Sequence, residues 1–252
     1  MRRTFLAALA GVLVLTGAAS SATATATPSS IAVAIADPKR TDADRNLDLT
    51  RKPVELLTFA GFKAGQTVVD VFPGPYFDRL FGDVVGPNGR VFMFIPTEAV
   101  TVHDAPSVPD GSKPFADLPN VTTLTAPINS FSVPQAADIV WIRQNYHDLH
   151  DKFMGPADVP AFNAAVFKAL KPGGEYIVID HYAPDGSGLA DTDTTHRIDA
   201  EEVKKEVTAA GFIFRGESDV LRNPADPRTA LVFDKSIRGH TDQFVFKFRK
   251  PK

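Results

Sequence analysis

The chain has no cysteine among its 252 residues, which removes disulfides, thiolate metal sites and thiol nucleophiles together and leaves stability to core packing. It has no excess of positive charge either: the formal net charge is −3, so the surface offers nucleic acid no overall attraction. A dense basic run occurs only at the extreme C-terminus, FKFRKPK, which reads as a solvated strand end. The GxGxxG fingerprint of nicotinamide-binding dehydrogenases is absent, and so is the GxSxG elbow of charge-relay hydrolases. After the first thirty residues no apolar run approaches the roughly 20 residues that a transmembrane helix needs. No internal repeat is visible.

What is present fits one large α/β domain, since 252 residues at 44% apolar content suffice for a single extended core. The first thirty residues stand apart. Arg2 and Arg3 are followed by the apolar stretch Phe5 to Leu15 and by SSATATATPSS, whose small residues offer cleavage points near Ala24 or Ala26. This pattern predicts a secretory signal peptide over residues 1–26 and a single domain over 27–252, periplasmic or secreted, without stable membrane insertion. Loss of the two arginines would take the net charge from −3 to about −5. RRTFL also fits a twin-arginine signal, although the usual Ser or Thr before the pair is missing, so both export routes stay open.

Read in order, the chain alternates between two kinds of pattern. Arg51 to Phe59 has helical spacing with Pro53 in its first turn, and Gly61 and Gly65 close it, whereas Ile31 to Asp37 is ambiguous. Thr67 to Phe72 is the Val-rich run of a strand buried on both faces, followed by a Pro/Gly turn and a helix over Tyr76 to Val85. Arg90 to Ile95, Val121 to Thr125, Ala137 to Ile142 and Glu175 to Asp180 are further strands. The Pro- and Asp-rich segment 96–119 is expected to be loop with at most a short helix. Val159 to Leu170 and Ile198 to Ala210 read as helices, the first ended by a turn over Lys171 to Gly174 and the second capped by Asp199. YAPDGSGLADTDTT, ahead of the second, has the composition of a lid or substrate loop. Phe212 to Gly216 starts a sixth strand, and QFVFKFR (243–249) alternates as a half-exposed antiparallel strand would. Together these predict a mostly parallel sheet with helices on both faces and an antiparallel pair at its end. Ligands of such sheets bind beyond the carboxyl ends of the strands.

Several motifs fall at those ends in a telling order: Pro73-Gly74-Pro75-Tyr76, Asn145 to Asp148 (NYHD), Leu170 to Gly174 (LKPGG), Asp180-His181 and His196 to Asp199 (HRID). Over roughly residues 50 to 250 the chain resembles the class I S-adenosylmethionine-dependent methyltransferases, and within them a group of exported predicted methyltransferases. The resemblance implies a Rossmann-like, seven-stranded sheet with a C-terminal antiparallel hairpin, S-adenosylmethionine as cofactor and a small-molecule acceptor. It also implies cofactor-side residues: Asp70, Phe72, Gly74 and Tyr76 around the first loop, Glu98 at the ribose hydroxyls, and Asn145 and Tyr146 after the fourth strand. The first loop departs from the pattern. It holds one glycine between two prolines, and Pro75 removes an amide donor.

His147 is the expected catalytic base, because an unperturbed imidazole titrates near 6.5 or thereabouts. Asp148 would orient it, and His181 would share the task; His147, His181 and His196 sit on loops expected to converge. No metal is assigned, but HDLHD (147–151) admits a second reading, with His147 and His150 three apart, Asp148 or Asp151 adding oxygen ligands, and His181 completing the set. The rival functional reading is an exported, non-catalytic binding protein that keeps the methyltransferase fold.

Overall fold

The computed structural model describes residues 29–102, 111–155 and 157–252; the expected signal segment, 1–26, lies outside them. The elements run α1 (Ser29–Ala36), α2 (Asp42–Arg51), α3 (Pro53–Ala60), β1 (Thr67–Val71), α4 (Pro75–Val85), β2 (Arg90–Pro96), α5 (Thr97–Val102) and β3 (Val121–Ala126). They continue with β4 (Ala137–Arg143), α6 (Val159–Ala169), β5 (Leu170–His181), α7 (Thr192–Thr195), α8 (Ala200–Ala209), β6 (Ile213–Glu217) and β7 (Gln243–Arg249). Segment 96–119, expected to be loop with at most a short helix, carries the short α5 among its described residues. The ambiguous stretch at 31–37 is helical as far as Ala36.

The sheet has seven strands in the order β3-β2-β1-β4-β5-β7-β6. β1 to β5 pair in parallel, and β7 runs antiparallel to both β5 and β6, so the expected topology is the one found. Chain order reverses between β1 and β4, which leaves a crevice beyond their carboxyl ends.

Two cores flank the sheet because successive strand residues point to opposite faces. Val69, Val71, Val140, Ile142, Tyr176 and Val178 face α6 and α8, whereas Val68, Ile139, Trp141, Ile177 and Ile179 face α1, α3 and α4. Asp70 shares the second face with Val68, and its carboxyl therefore points toward α4. There Phe62, Phe77, Phe81 and Trp141 form a packed aromatic cluster, with Phe62 and Phe81 stacked at 4.7 Å and the Trp141 indole edge-on to Phe81.

Two local readings change. LKPGG is not a free turn: β5 begins at Leu170, and a register shift between Ala137 and Ile139 absorbs the irregularity. A Cβ on Gly174 would lie 3.0 Å from the Lys171 carbonyl and 3.1 Å from that of Asp138, so the glycine lets two backbones approach. β7 is not half-exposed. Phe244, Phe246 and Phe248 are fully buried against one core and Val245 against the other. Its basic residues are engaged as well: the Lys247 ammonium donates to the Phe59 carbonyl at 2.8 Å, Lys250 donates to the Leu170 carbonyl at 2.6 Å, and Arg249 pairs with Glu175. Lys247, Arg249 and Lys250 are thus tied to α3 and β5 rather than solvated.

Candidate active site

β1 ends at Val71, and Phe72 just beyond it adopts a left-handed conformation at φ 58, unusual for a bulky residue. The kink turns the chain out of the sheet, and Gly74 (φ −140, ψ 134) then serves as the N-cap of α4, with Pro75 at its first position. A Cβ on Gly74 would meet no atom within 4 Å, so the loop is roofed by open space. Alongside lies a cleft of about 330 Å³ lined by Phe72, Pro73, Met93, Ile95, Pro96 and Asn145, mostly apolar, at the carboxyl ends of β1, β2 and β4.

Beneath this loop Asp70 meets Asp78 of α4. Both are buried, and neither oxygen of Asp78 has a partner in hydrogen-bonding geometry. Burial raises the Asp70 carboxyl well above its usual range, the neighbouring Asp78 adds to this, and Arg143 opposes it. Burial likewise raises Asp78. Both carboxyls therefore favour the protonated form more than two exposed aspartates would.

The remaining cofactor-side candidates separate. Asn145 lines the cleft and donates to Asp148 Oδ2 at 2.6 Å. Glu98 opens α5 and accepts the Ile128 amide on its two oxygens at 3.1 and 3.2 Å, so part of its acceptor capacity anchors the segment after β3. Tyr76 is buried, with its hydroxyl donated to Asp48 and its ring under the Arg51 guanidinium at 4.5 Å; it ties α4 to α2. Tyr146 is fully buried in the core on the α6 and α8 side, where its hydroxyl donates to Glu206 at 2.9 Å and accepts from Asn163 at 2.8 Å. Its expected contact with a cofactor does not fit that position, because a strand-end residue facing the core cannot also face the crevice.

The loops after β4 and β5 converge as expected. His147 starts a 3-10 turn over His147–His150 and is buried, its Nδ1 lying 2.9 and 3.0 Å from the Asp180 oxygens. Asp180 only accepts when ionised, so Nδ1 carries the proton. Its carboxylate also takes the backbone amides of His147 (2.9 Å) and His181 (2.8 Å), which locks the ring in place. His147 Nε2 then points at His196 Nδ1 and at Asp148 Oδ1, each 3.2 Å away. Burial works against the imidazolium, but the Asp180 and Asp148 carboxylates outweigh it and push His147 up to about 10. His147 was expected to act as a base; the two carboxylates around it favour its protonated form. Burial also opposes ionised Asp148, yet hydrogen bonds from His147 and His196 keep its carboxyl below the usual range.

His181 lies beside this group, ring centroids 6.3 Å apart, but is buried with its Nδ1 2.7 Å from the Thr241 hydroxyl. Burial pushes it down to about 3, so it stays neutral. His150 turns away to Glu206, at 3.2 Å, so the spacing of three from His147 brings no shared ligand. Three participants fall outside the set of expected catalytic residues. Asp180 was legible only as the partner of His181 at a strand end. Asp151, buried and with Oδ1 unpartnered, was seen only within HDLHD. Phe233, whose ring lies 5.1 Å from that of His196, had no sequence signal at all.

No family model matches the chain, and no curated protein matches it significantly. Among solved structures it is similar to an S-adenosylmethionine-dependent methyltransferase from Aquifex aeolicus, at 19% identity and a TM-score of 0.51 over 83% of this chain and 99% of that one. Another from Mesorhizobium loti gives 15% identity and a TM-score of 0.52 over 81% and 100%. The glycopeptide N-methyltransferase MtfA, solved with sinefungin, gives 16% and 0.50 over 81% and 94%. At such identities the likeness is one of fold. The chain has the Rossmann-like fold of the class I methyltransferases.

Proposed function

We propose that this chain is an S-adenosylmethionine-dependent methyltransferase acting on a small-molecule acceptor. The observation that carries the reading is the apolar cleft at the carboxyl ends of β1, β2 and β4, lined by Pro73 next to Gly74, over which a Cβ would meet open space. A cofactor with an aromatic ring and a charged chain suits this combination, since the apolar walls take the ring and the uncovered backbone lets the chain approach. Phe72, Gly74 and Asn145 would hold it, with Asp70 fixing the loop from below and Glu98 at the far end. When bound, the cofactor supplies an electrophilic methyl group on a sulfonium.

The residues of this chain align the acceptor. Methyl transfer is an in-line displacement, for which holding two reactants together removes much of the barrier. Asn145 joins the two halves of the site, lining the cleft while donating to Asp148. His147, Asp148 and His181 are the acceptor-side residues of this reading, with Asp180 as the positioning residue of His147. Export is the localisation we infer, supported by the Arg2-Arg3 start and the apolar stretch behind it. Cell fractionation that finds the chain with cytoplasmic markers would remove it.

Calorimetric titration with S-adenosylmethionine tests the proposal. Saturable binding is expected at submillimolar ligand, weakened at least about tenfold by Gly74→Val, whose side chain fills the open space. His147→Ala should leave that affinity within about twofold while lowering methyl transfer by about 100-fold. A folded chain that takes up no ligand would sink the reading. Binding without turnover on any acceptor would favour the non-catalytic alternative.

A further inference from the structure

We propose that His147 Nε2, His196 Nδ1, Asp148 and Asp151 form a binding site for one divalent first-row transition-metal ion of the zinc type. One ligand atom from each residue lies within 4.8 Å of all the others. Two imidazole nitrogens and two carboxylates match the mixed donor set that such ions take, whereas magnesium and calcium prefer oxygen alone.

The geometry is close to what an ion requires. His147 Nε2, His196 Nδ1 and Asp148 Oδ1 form a triangle with edges of 3.2, 3.2 and 3.8 Å. A tetrahedral ion with bonds near 2.1 Å has ligand–ligand edges of about 3.4 Å, so these three atoms could be bridged with shifts of a few tenths of an ångström. Asp151 would supply the fourth position. Its side chain is enclosed, the residue being only 3% exposed, and its Oδ1 has no hydrogen-bond partner. A buried carboxylate oxygen left unmatched is costly, and an ion is one of the few partners that satisfies it fully.

The surroundings have the form that metal sites require. The inner ring nitrogen of His147 donates to Asp180, which fixes the tautomer that leaves Nε2 facing the cluster. Asp148 is held from behind by Asn145 Nδ2 at 2.6 Å. Such outer partners orient ligands and raise their basicity. Asp148, Asp151 and Asp180 bring three carboxylates together, and among the described residues none of them pairs with Lys or Arg; Lys152, next in sequence, turns outward to Asp193 at 2.9 Å. His196 is the access side. Its side chain is 30% exposed, while its left-handed backbone (φ 55) at the end of α7 aims the ring inward.

The spacing of His147 and His150 had pointed to a different set, which His150 leaves by bonding Glu206. The site proposed here is assembled from two segments, the one after β4 and the one that ends α7, and does not depend on the methyltransferase reading.

The test is metal analysis of the purified chain, then chelator treatment and calorimetric titration with zinc chloride, with circular dichroism to verify folding. One equivalent per chain is expected, with Kd of about 1 μM or below. His196→Ala and Asp151→Ala should each weaken binding at least about tenfold, Asp180→Asn by about 10- to 100-fold through His147. His150→Ala should leave it unchanged, and a large excess of magnesium chloride should not displace zinc. Failure of the folded wild type to take up zinc at about 100 μM overturns the proposal. So does undiminished binding by both His196→Ala and Asp151→Ala, or equal loss in His150→Ala. Displacement by magnesium would overturn the assignment of ion class. Since His196 is partly exposed, its variant is the one that keeps the test decisive should Asp151→Ala fail to fold.

Discussion

Asp78 is fully enclosed between β1 and α4, and its carboxyl is neutral only while it keeps a proton next to Asp70. The folded value of this pair is raised, so the stability it contributes is complete below the unfolded value of about 4 and is lost as pH rises through the folded one. Asp78→Asn keeps a donor toward Asp70 and has no proton to lose. The variant should therefore match the wild type near pH 4 and exceed it by about 1–2 kcal/mol above pH 7. Melting curves from pH 4 to 9 read the difference, and a gap independent of pH would show that the pair does not titrate in the folded protein. At this same scale the sequence was generous with names and poor with roles. Asp70, Phe72, Gly74, Asn145, His147 and Asp148 could be picked from their places after strands. That Asp180 accepts from His147 Nδ1, or that Glu98 accepts from the Ile128 amide, depends on contacts across about 30 residues of chain, which spacing does not encode.

The element that best separates the two levels is the segment following β4. NYHD was legible as a polar continuation of an apolar strand, and its His147 and Asp148 open a short 3-10 turn. Which of its side chains faces the crevice was not legible, because a single helical turn has too few residues to show a period. Tyr146 illustrates this. It faces inward and braces the turn against α6 through Asn163 and against α8 through Glu206. Tyr146→Phe should cost about 1–2 kcal/mol, read as a shift in denaturant midpoint, since Asn163 and Glu206 lose a buried partner. Its affinity for S-adenosylmethionine should stay within about twofold of wild type. A larger loss of affinity with unchanged stability would return Tyr146 to the cofactor. β7 carries the related lesson: alternation in QFVFKFR was real, but burial on the second face came from the helical layer of α1, α3 and α4, which no local pattern displays.

For the molecule as a whole, α1 belongs to the fold and not to the segment before it. Ile31 is fully buried and Ala34 almost so, both in the core on the α4 side of the sheet. Ile31→Ala should destabilise the protein by about 2–4 kcal/mol in urea unfolding, the usual cost of a large-to-small change in a packed core. A change below about 0.5 kcal/mol would mean that α1 is a loosely attached arm. By itself the sequence determined the order of the seven strands and of the helices α3, α4, α6 and α8, the parallel sheet with its terminal antiparallel pair, and the strand ends where a ligand should lie. These follow from periodicity, turn residues and connection lengths, all of which are local. Tertiary structure alone decided that Asp180 grips His147, that His196 and Asp151 complete its surroundings, and that Tyr76 and Tyr146 face away. Those outcomes depend on which strand ends stand side by side and at what register, and distant segments settle that only by packing against one sheet.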